Sequence, residues 1–425
     1  MKIKKKIIVV GGGFAGIQLV RKLDENLFDV LLIDKINHHQ FQPLFYQVAT
    51  SQLEPSSISF PLRNIFKNKK NVQIRLAEVQ SVDEKNNKIT TSIGDFTYDY
   101  LVMAIGCTTN FFGNQNISDN ALTLKSTYDA ITVRNHILLT FEKIISATEE
   151  EKVALLNLVI VGAGPTGVEL SGAFAEIKNN ILPKDYPRIN FSKFKILLIE
   201  GSKNTLNNMS DQSKIDSKNY LKQLGVEIIT ETFVKDYDGT VLILNNGEKI
   251  KTKTVIWTAG VTGNKISGFQ ENIFANGNRF KVNRINKISG SETIFAIGDI
   301  AFMETPLYLK GHPQVANVAI NQAKILAKNL KFIELNKPTI DFEYKDLGSM
   351  ATIGRNKAVV DLHLLHFKGY FAWLVWMFLH LMLILSVKNK LIIFINWAWA
   401  YVTKDSSLRL ILYQNKRTNY KKGGD

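Results

Sequence analysis

The chain has 425 residues, of which 45% are hydrophobic and 21% are charged. This composition is typical of a globular protein and excludes wholesale disorder, and the length predicts about two to three domains. The single cysteine, Cys107, excludes an intrachain disulfide, a Cys-x-x-Cys redox pair and a cysteine-ligated metal or iron–sulfur site, which is consistent with a reducing compartment. The net charge of +15 indicates a charged partner or surface.

The N-terminal segment predicts a short buried strand that enters a glycine turn. The apolar run at residues 7–10 is only four residues long and stops at three glycines. A secretory signal peptide needs a longer apolar stretch and a small-residue cleavage site, so we do not expect export. Gly11, Gly13 and Gly16 form the pattern G-x-G-x-x-G, and an amphipathic helix and a second strand follow, ending in Asp34.

The same pattern recurs in the middle of the chain. A strand at residues 158–161 leads to Gly162, Gly164 and Gly167, and a helix and a later strand follow, ending in Glu200. In dinucleotide-binding folds the first glycine permits the turn, the second lets a pyrophosphate approach the backbone, and the third lets helix and strand pack closely. The acid at the end of the second strand accepts hydrogen bonds from ribose hydroxyls. Two copies of the whole pattern therefore predict two dinucleotide sites.

The two sites differ in spacing and are expected to hold different dinucleotides. Glu200 comes 38 residues after Gly162 rather than the usual ~20, and residues 182–194 look like an insertion in that connection. Because both patterns end in an acid and no basic residue directly follows Glu200, we expect FAD at one site and NADH rather than NADPH at the other.

Later strand-to-turn segments support a discontinuous arrangement. The apolar segments before Gly106 and Gly260 each end at a glycine that would bring backbone close to a cofactor, and IFAIGD ends in Asp299, suited to the polar part of a flavin. We therefore predict an α/β fold with two Rossmann-like dinucleotide-binding domains and a C-terminal membrane-attachment helical region. The expected bounds are 1–118 with 264–345 for the FAD-binding domain, 119–263 for the NADH-binding domain and 346–425 for the membrane-anchoring region.

The C-terminus is at once apolar, aromatic and basic. Residues 369–387 carry no formally charged side chain, a second apolar segment spans 391–402, and four of the five tryptophans lie in these two segments. From residue 388 onward there are two acidic residues and eight basic ones, namely Lys388, Lys390, Lys404, Arg409, Lys416, Arg417, Lys421 and Lys422. Such a tail is typical of attachment to an anionic membrane surface.

Three arrangements of this tail are open. We favour two helices that lie in the membrane interface. The first alternative is a single span, because residues 369–387 just reach the ~20 residues that a spanning helix needs. The second alternative is a hydrophobic helix packed in a dimer interface.

With these motifs the chain resembles the type II NADH dehydrogenases, the single-subunit NADH:quinone oxidoreductases, over nearly its whole length. The resemblance rests on DKINHHQFQPLFYQVAT (34–50), VIVGAGPTGVELSG (159–172), VIWTAGV (255–261), IFAIGDI (294–300), GSMATIGRNKAVV (348–360) and the tail. It implies that FAD is held by Gly11, Gly13, Gly16, Asp34 and Lys35, with Gly106, Asp299 and Ala316 near it. It implies that NADH is held by Gly162, Gly164, Gly167 and Glu200, with Gly260 near it.

The resemblance also implies an activity, in which a hydride passes from NADH to FAD and two electrons then reduce a membrane quinone of the respiratory chain. Glu169 matches the family glutamate near the flavin and quinone, where it positions the nicotinamide or relays protons. The alternative for Glu169 is a first-turn carboxylate favoured by the helix dipole. We expect no metal site, and no proton pumping because one or two membrane segments offer no transmembrane proton path. The expected state is a homodimer on the cytoplasmic face of the cell membrane.

One departure concerns the quinone side. The family motif usually reads Ala-Gln followed three residues later by Gln, whereas this chain has Ala316-Asn317-Val318-Ala319-Ile320-Asn321-Gln322. Asparagine keeps the amide but is one methylene shorter. Direct hydrogen bonds from Asn317 and Asn321 to a quinone carbonyl could therefore fail or need a bridging water.

A rival prediction is an NADH-sensing flavoprotein that binds nucleic acid or another acceptor through its basic surface. Such a protein would spread basic residues along a folded face or arm. Here acidic and basic residues are interspersed in the middle of the chain, and the tail combines its charge with tryptophan and leucine. We therefore expect a membrane lipid surface, and no nucleic acid, as the partner.

Overall fold

A computed structural model describes residues 3–362, 365–406 and 408–412. The basic residues at 416, 417, 421 and 422 of the predicted tail lie outside this range. The chain divides into two compact units, and the first unit comprises Met1–Phe41, Ser59–Asn110 and Gly260–Leu347. The second unit comprises Gln42–Ile58, Phe111–Ala259 and Gly348–Asp425, so it takes in a short early segment as well as the C-terminal region.

The first unit combines a parallel sheet, small antiparallel sheets and helices. Its strands are Lys5–Val10, Phe28–Asp34, His38–Gln40, Ser59–Pro61, Val72–Leu76, Val79–Asp83, Lys88–Thr91, Gly94–Thr97, Tyr100–Met103, Cys107–Thr109, Val261–Gly263, Phe274–Ala275, Arg279–Lys281, Ile294–Ala296 and Ala301–Phe302. Its α-helices are Phe14–Lys22, Leu62–Ile65 and Ala316–Glu334.

The parallel sheet of the first unit is built around Lys5–Val10. This strand pairs with Phe28–Asp34 on one side and Tyr100–Met103 on the other, and the next strands outward are Val72–Leu76 and Ile294–Ala296. All of these pairings are parallel, so the strands end at the same edge of the sheet. The first glycine turn begins at that edge.

Both faces of this sheet are buried, as its continuous apolar run predicts for a parallel strand. Side chains alternate between the faces of a strand. Ile7 and Val9 therefore belong to a core shared with the helices Phe14–Lys22 and Ala316–Glu334. Ile8, on the other face, belongs to a second core shared with the antiparallel strands between residues 79 and 97. The glycine turn thus follows a strand that is held from both sides.

The second unit repeats this plan and adds the C-terminal region. Its strands are Leu122–Thr123, Asn157–Val161, Lys195–Ile199, Val226–Ile229, Val234–Tyr237, Val241–Leu244, Lys249–Lys251, Thr254–Trp257, Ser349–Gly354, Lys357–Asp361 and His366–Lys368. Its α-helices are Phe45–Ala49, Gln115–Asn120, Thr127–Ser146, Glu149–Leu155, Pro165–Asn180, Leu182–Asp185, Asp211–Gln223, Tyr370–Leu383 and Val387–Thr403.

The parallel sheet of the second unit is built around Asn157–Val161. Its neighbours are Thr254–Trp257 and Lys195–Ile199, and Leu122–Thr123 and Val226–Ile229 lie outside them. One face packs on an antiparallel three-strand sheet through a shared apolar core. The α/β class with two Rossmann-like sheets is therefore confirmed.

The segment 182–194 fills the long connection between the helix Pro165–Asn180 and the strand Lys195–Ile199. It forms the helix Leu182–Asp185 and the turn Phe191–Lys193. The rings of Tyr186, Phe191 and Phe194 pack around Phe141, with centroid distances of 6.2, 6.0 and 5.6 Å. The additional residues therefore build an aromatic core, while Glu200 keeps its place directly after Lys195–Ile199.

The described part of the C-terminal region contains an antiparallel sheet followed by two helices, Tyr370–Leu383 and Val387–Thr403. The strand Ser349–Gly354 lies directly on the helix Pro165–Asn180, because a Cβ added to Gly172 would come within 1.8 Å of the Ile353 carbonyl oxygen. Among the described residues, no helix is both long enough and apolar enough to cross a membrane.

Candidate functional site

The three glycines of the first turn have different surroundings. A Cβ added to Gly11 would lie 2.3 Å from the Ala104 carbonyl oxygen, and one added to Gly16 would lie 1.9 Å from the Gly11 carbonyl oxygen. A Cβ added to Gly13 would meet no heavy atom within 4 Å. Gly11 and Gly16 therefore allow close packing, whereas Gly13 leaves open space in front of the backbone.

The helix Phe14–Lys22 begins at this open position. Its N-cap is Gly13, which has no side chain to cap the first N–H groups. Uncapped N–H groups and the positive end of the helix dipole together favour an anion such as a phosphate. The space beside Gly13 therefore fits a diphosphate.

Asp34 spans the same turn with both carboxylate oxygens. Its Oδ2 accepts a hydrogen bond from the Gly12 N–H at 2.5 Å, and its Oδ1 accepts one from the Ile36 N–H at 2.9 Å. Burial raises the pKa of Asp34, and the backbone donors oppose this shift. Each carboxylate oxygen keeps a second lone pair, which is the acceptor that a ribose hydroxyl needs.

His39 holds the first glycine turn through a hydrogen bond to its backbone, a role that sequence reasoning missed. Its Nδ1 lies 3.2 Å from the Gly12 carbonyl oxygen, which can only accept, so Nδ1 carries the proton. Burial lowers the pKa of His39 to about 4, so the ring is neutral at physiological pH. The rings of Phe14 and Phe60 pack against it, with centroids 5.0 and 6.2 Å away. The histidine pair was visible in the sequence, but its contact with the glycine loop was not.

The turn that carries Asp299 is held through its backbone. The Gly298 N–H donates to Gln322 Oε1 at 2.8 Å, and the Asp299 carbonyl oxygen accepts from Gln314 Nε2 at 3.1 Å and Cys107 Sγ at 3.4 Å. Gln314 and Gln322 therefore position this turn, and neither was singled out from the sequence. Cys107 acts here as a weak donor within the first unit.

The other residues expected near FAD also lie in the first unit. Gly106 has φ +65°, and a Cβ on it would meet nothing within 4 Å. Ala316 is the first residue of the helix Ala316–Glu334. Lys35 Nζ pairs with Glu78 Oε1 at 2.5 Å, and both side chains are mostly exposed. In this structure Lys35 therefore forms an ion pair with a carboxylate at the protein surface.

The second glycine turn repeats the first in the second unit. A Cβ on Gly162 would lie 2.8 Å from the Ala259 Cα, one on Gly167 would lie 1.9 Å from the Gly162 carbonyl oxygen, and one on Gly164 would meet nothing within 4 Å. The helix Pro165–Asn180 begins at Gly164, again without a side-chain cap. This turn therefore fits a second diphosphate.

Glu200 repeats the arrangement of Asp34. Its Oε2 accepts a hydrogen bond from the Ala163 N–H at 2.6 Å, and its Oε1 accepts one from the Ser202 N–H at 2.8 Å. Gly260, which was expected near the same dinucleotide, belongs to the first unit, has φ +73° and accepts a hydrogen bond from the Asn110 N–H at 3.3 Å.

Glu169 is buried inside the second unit. The helix Pro165–Asn180 begins at Pro165, so Glu169 is its fifth residue and lies beyond the first turn. The alternative of a first-turn carboxylate is therefore wrong. The Glu169 Oε1 accepts a hydrogen bond from the Thr352 N–H at 3.4 Å. Burial raises the pKa of Glu169 to about 8, so most of this carboxyl group is protonated at pH 7.

An aromatic cavity of about 100 Å³ opens beside Glu169 within the second unit. Two hydrogen bonds order one of its walls: Trp397 Nε1 donates to Gln47 Oε1 at 2.7 Å, and Gln47 Nε2 donates to the Tyr46 hydroxyl at 2.8 Å. Burial, and then the charge of Glu169, raise the pKa of Tyr46 well above its usual range. The hydroxyl therefore keeps its proton as a donor. Sequence reasoning gave no role to Tyr46 or Gln47. It counted Trp397 among the tryptophans of the membrane-attachment tail, whereas the structure buries this side chain against Gln47.

An arginine fixes another part of the lining. Arg355 donates from its two terminal nitrogens to the carbonyl oxygens of Ala400 at 2.7 Å and Tyr401 at 3.1 Å. Its backbone N–H donates to Glu176 Oε1. The end of the helix Val387–Thr403 is thereby tied to the turn after Ser349–Gly354.

Asn317 and Asn321 lie one turn apart on the helix Ala316–Glu334 of the first unit, and both are half-buried. Burial raises the pKa of Tyr344, and the side-chain hydrogen bond with Asn317 opposes this shift. The Asn321 Oδ1 lies 3.5 Å from Lys324 Nζ. Gln322, the residue after Asn321, is fully buried and accepts the hydrogen bond from Gly298 in the turn that carries Asp299.

Comparisons with known proteins agree with this geometry. A family profile described as pyridine nucleotide-disulphide oxidoreductase matches residues 5–323, and one described as the NDH2 C-terminal domain matches residues 347–404. Two proteins of Mycobacterium tuberculosis, the type II NADH:quinone oxidoreductases Ndh and NdhA, are 30% and 31% identical to the chain. Each alignment covers 94% of this chain, with 89% and 87% of the respective relative.

A solved structure shows the same fold. NDH2 from Plasmodium falciparum in complex with NADH superposes with a TM-score of 0.88 at 24% identity, covering 97% of this chain and 100% of the other. The family matches confirm the expected oxidoreductase that uses FAD and NADH. The chain therefore belongs to the pyridine nucleotide-disulphide oxidoreductases and, within them, to the type II NADH:quinone oxidoreductase family.

Proposed function

We propose that the protein oxidises NADH and reduces a membrane quinone without pumping protons. The observation that carries the proposal is the duplicated loop: in each unit the outer glycines are packed, the middle glycine is open, and a carboxylate spans the turn. A relay from NADH to a quinone through FAD needs two dinucleotides. One such loop in each unit supports one dinucleotide in each unit.

The proposed FAD site lies in the first unit. When bound, FAD supplies the two-electron carrier that accepts a hydride and reduces a quinone. Asp34 accepts hydrogen bonds from the ribose, and His39 keeps the Gly12 carbonyl oriented. The other proposed contacts are Gly11, Gly13, Gly16, Lys35, Gly106, Asp299 and Ala316.

The proposed NADH site lies in the second unit. The diphosphate meets the open backbone at Gly164, and the adenosine ribose donates to the carboxylate of Glu200. A 2′-phosphate would place negative charge beside this carboxylate, so the site favours NADH over NADPH. Gly162 and Gly167 shape the turn, and Gly260 is the proposed neighbour of the nicotinamide.

Glu169 is the proposed proton carrier. Reduction of a quinone to a quinol consumes two electrons and two protons, whereas a hydride brings two electrons and one proton. The remaining proton comes from the medium. A carboxyl group with a pKa of about 8 holds a proton at neutral pH, donates it and regains it from water. Positioning of the nicotinamide is the other proposed role. A Glu169 variant would then slow the reduction of the flavin by NADH, whereas loss of a proton carrier would slow the reduction of the quinone.

The quinone contacts are proposed for Asn317 and Asn321. Each amide N–H₂ is a donor for a quinone carbonyl oxygen. The side chain is shorter than the glutamine of the family motif, so a bridging water supports these contacts. Quinone preference is therefore the property most sensitive to these two positions.

Membrane attachment is proposed for the two C-terminal helices. Large apolar side chains on them are exposed, and they include Tyr370, Phe371, Phe378, Met382, Leu391, Phe394, Ile395 and Trp399. Lys388 and Lys390 lie among them in the sequence and Lys404 follows them, and anionic lipid attracts such residues. The proposed location is the cytoplasmic face of the cell membrane, and the proposed assembly is a homodimer.

The test is anaerobic and uses the full chain purified in detergent. NADH is added while the absorbance of the bound flavin is followed, and a menaquinone or ubiquinone analogue is then added. We expect NADH to bleach the flavin and the quinone to restore its colour. A flavin that stays reduced after quinone addition would refute quinone as the acceptor, and a flavin that NADH does not bleach would refute the whole proposal.

A further inference from the structure

An exposed phenylalanine lies beside the acid of the second glycine turn. Phe233 is 62% exposed, although large aromatic side chains are usually well buried. Its ring lies on the α-carbon of Gly201, the residue after Glu200. A Cβ added to Gly201 would come within 2.3 Å of the Phe233 Cε1 and 2.8 Å of Cδ1. Glycine is therefore the residue that lets this ring approach.

The position of Phe233 is fixed by hydrogen bonds of its backbone. Its N–H donates to Asn245 Oδ1 at 3.1 Å, and its carbonyl oxygen accepts from the Asn245 N–H at 2.9 Å. One residue earlier, the Thr232 N–H donates to the Glu200 carbonyl oxygen at 3.1 Å. The ring is therefore presented to solvent by an ordered segment that is tied to Glu200.

The covalent structure of NADH places a flat base near this ring. Glu200 accepts from the hydroxyls of the adenosine ribose, and the adenine is attached to the same ribose. A base so held lies within a few ångströms of the residues that flank the acid. Every base has a π-face, and an exposed aromatic ring offers it a stacking surface.

We propose that Phe233 is the platform on which the adenine of NADH stacks, and that Gly201 is required for the ring to occupy this place. The inference rests on the proposed NADH site at Glu200 and deepens it. Phe233 is thereby a specificity-determining residue, because it distinguishes NADH from nicotinamide compounds that carry no adenine. Stacking of one base on one aromatic ring corresponds to about 10- to 100-fold in affinity.

The experiment compares two hydride donors with one set of variants. Anaerobic stopped-flow reduction of the bound flavin gives the half-saturating concentration of NADH and of reduced nicotinamide mononucleotide, which lacks the adenosine half. The variants are Phe233→Ala, Phe233→Trp and Gly201→Ala. Tyr128→Ala serves as the control, because Tyr128 is exposed in the same unit and has no proposed part in binding.

We expect Phe233→Ala and Gly201→Ala to raise the half-saturating NADH concentration about 10-fold or more. Neither should change that for the mononucleotide, and neither should alter the flavin content. Phe233→Trp retains a stacking face and should bind NADH like the wild type. Tyr128→Ala should change neither donor.

Two results would overturn the inference. One is an unchanged half-saturating NADH concentration in Phe233→Ala, and the other is an equal loss for both donors, which indicates general distortion. Failure of the proposed function looks different. In that case NADH does not reduce the wild-type flavin, or Glu200→Gln binds NADH as well as the wild type does.

Discussion

The carboxylate of Glu200 and the backbone N–H of Ala163 are 2.6 Å apart, and they close the second glycine turn across 37 residues of sequence. Asp34 and Gly12 do the same in the first turn. In each pair the acid holds the loop with one lone pair of each oxygen and leaves the others for a ribose. One side chain therefore serves both the shape of the loop and the recognition of the nucleotide.

Exchanging each acid for its amide should separate the two sites. In Glu200→Gln the amide nitrogen replaces one acceptor, so one of the two backbone N–H groups loses its partner, at a cost of about 1–3 kcal/mol. We expect weaker NADH binding with FAD retained. Asp34→Asn should instead lower the FAD content of the purified protein. Flavin absorbance per chain and an NADH titration measure both effects, and flavin loss from Glu200→Gln would contradict the assignment.

Two glycines of the second turn offer a matched pair. In Gly167→Ala the new methyl group would meet the Gly162 carbonyl oxygen at 1.9 Å and Thr258 Oγ1 at 2.9 Å, so the fold should lose about 1–3 kcal/mol of stability. In Gly164→Ala the methyl group meets no protein atom and enters the space proposed for the diphosphate. We expect Gly164→Ala to keep the wild-type Tm and bind NADH weakly. Equal Tm values for both variants would count against this geometry.

Protonation of Glu169 should make stability depend on pH. Between pH of about 4.5 and about 8 the folded protein keeps a proton on Glu169 that the unfolded chain releases. The free energy of unfolding therefore falls as pH rises through this window. Glu169→Gln removes this contribution. The Tm of the variant minus that of the wild type should therefore increase from pH 5 to pH 8. The control is Glu150→Gln at an exposed position. A Tm difference independent of pH would show that folding does not raise the pKa of Glu169.

Two tryptophans of the helix Val387–Thr403 should respond differently to replacement by phenylalanine. Trp397→Phe removes the donor to Gln47, whose Oε1 would stay buried without a partner, at a cost of about 1–3 kcal/mol. Trp399 is 60% exposed, so Trp399→Phe should leave the Tm unchanged. Thermal unfolding of both variants gives the comparison. Equal Tm values would mean that the Trp397–Gln47 bond contributes nothing to stability.

Serine at Phe378, Phe394 and Trp399 should weaken membrane binding. These side chains are 61%, 55% and 60% exposed, and each contributes up to about 1.5–3 kcal/mol when buried in an apolar phase. We expect flotation with phosphatidylglycerol-containing vesicles to fall about tenfold or more. The control replaces three other exposed apolar residues, Ile145, Val153 and Ile215, with serine. Equal flotation of both triple variants would place the membrane surface elsewhere.

The glycine turns and their acids could be predicted because their signals are local. Each turn lies directly after a strand, and the acid follows at the end of the next strand in the sheet, so chain order is enough. The start of the helix at Pro165 was also present in the sequence, since proline favours the first helical position. That signal would have placed Glu169 beyond the first turn.

The surroundings of the buried carboxyl group could not be predicted in this way. Trp397 meets Gln47 across 350 residues, and His39 meets Gly12 across 27. Neither pair is related by the period of a helix or a strand. Such contacts follow from how whole elements pack, which a residue pattern along the chain does not specify.

The close approach of Gly172 to Ile353 limits how the C-terminal region can be exchanged between proteins. The strand Ser349–Gly354 touches the backbone of the helix that begins at the proposed NADH loop, with no room for a side chain between them. A segment attached so tightly cannot be exchanged for that of another protein as a separate module. Removal of the chain after residue 347 would expose the face of this helix that the strand Ser349–Gly354 covers. A change of residue on either side of this contact therefore affects both the helix that begins at Gly164 and the C-terminal region.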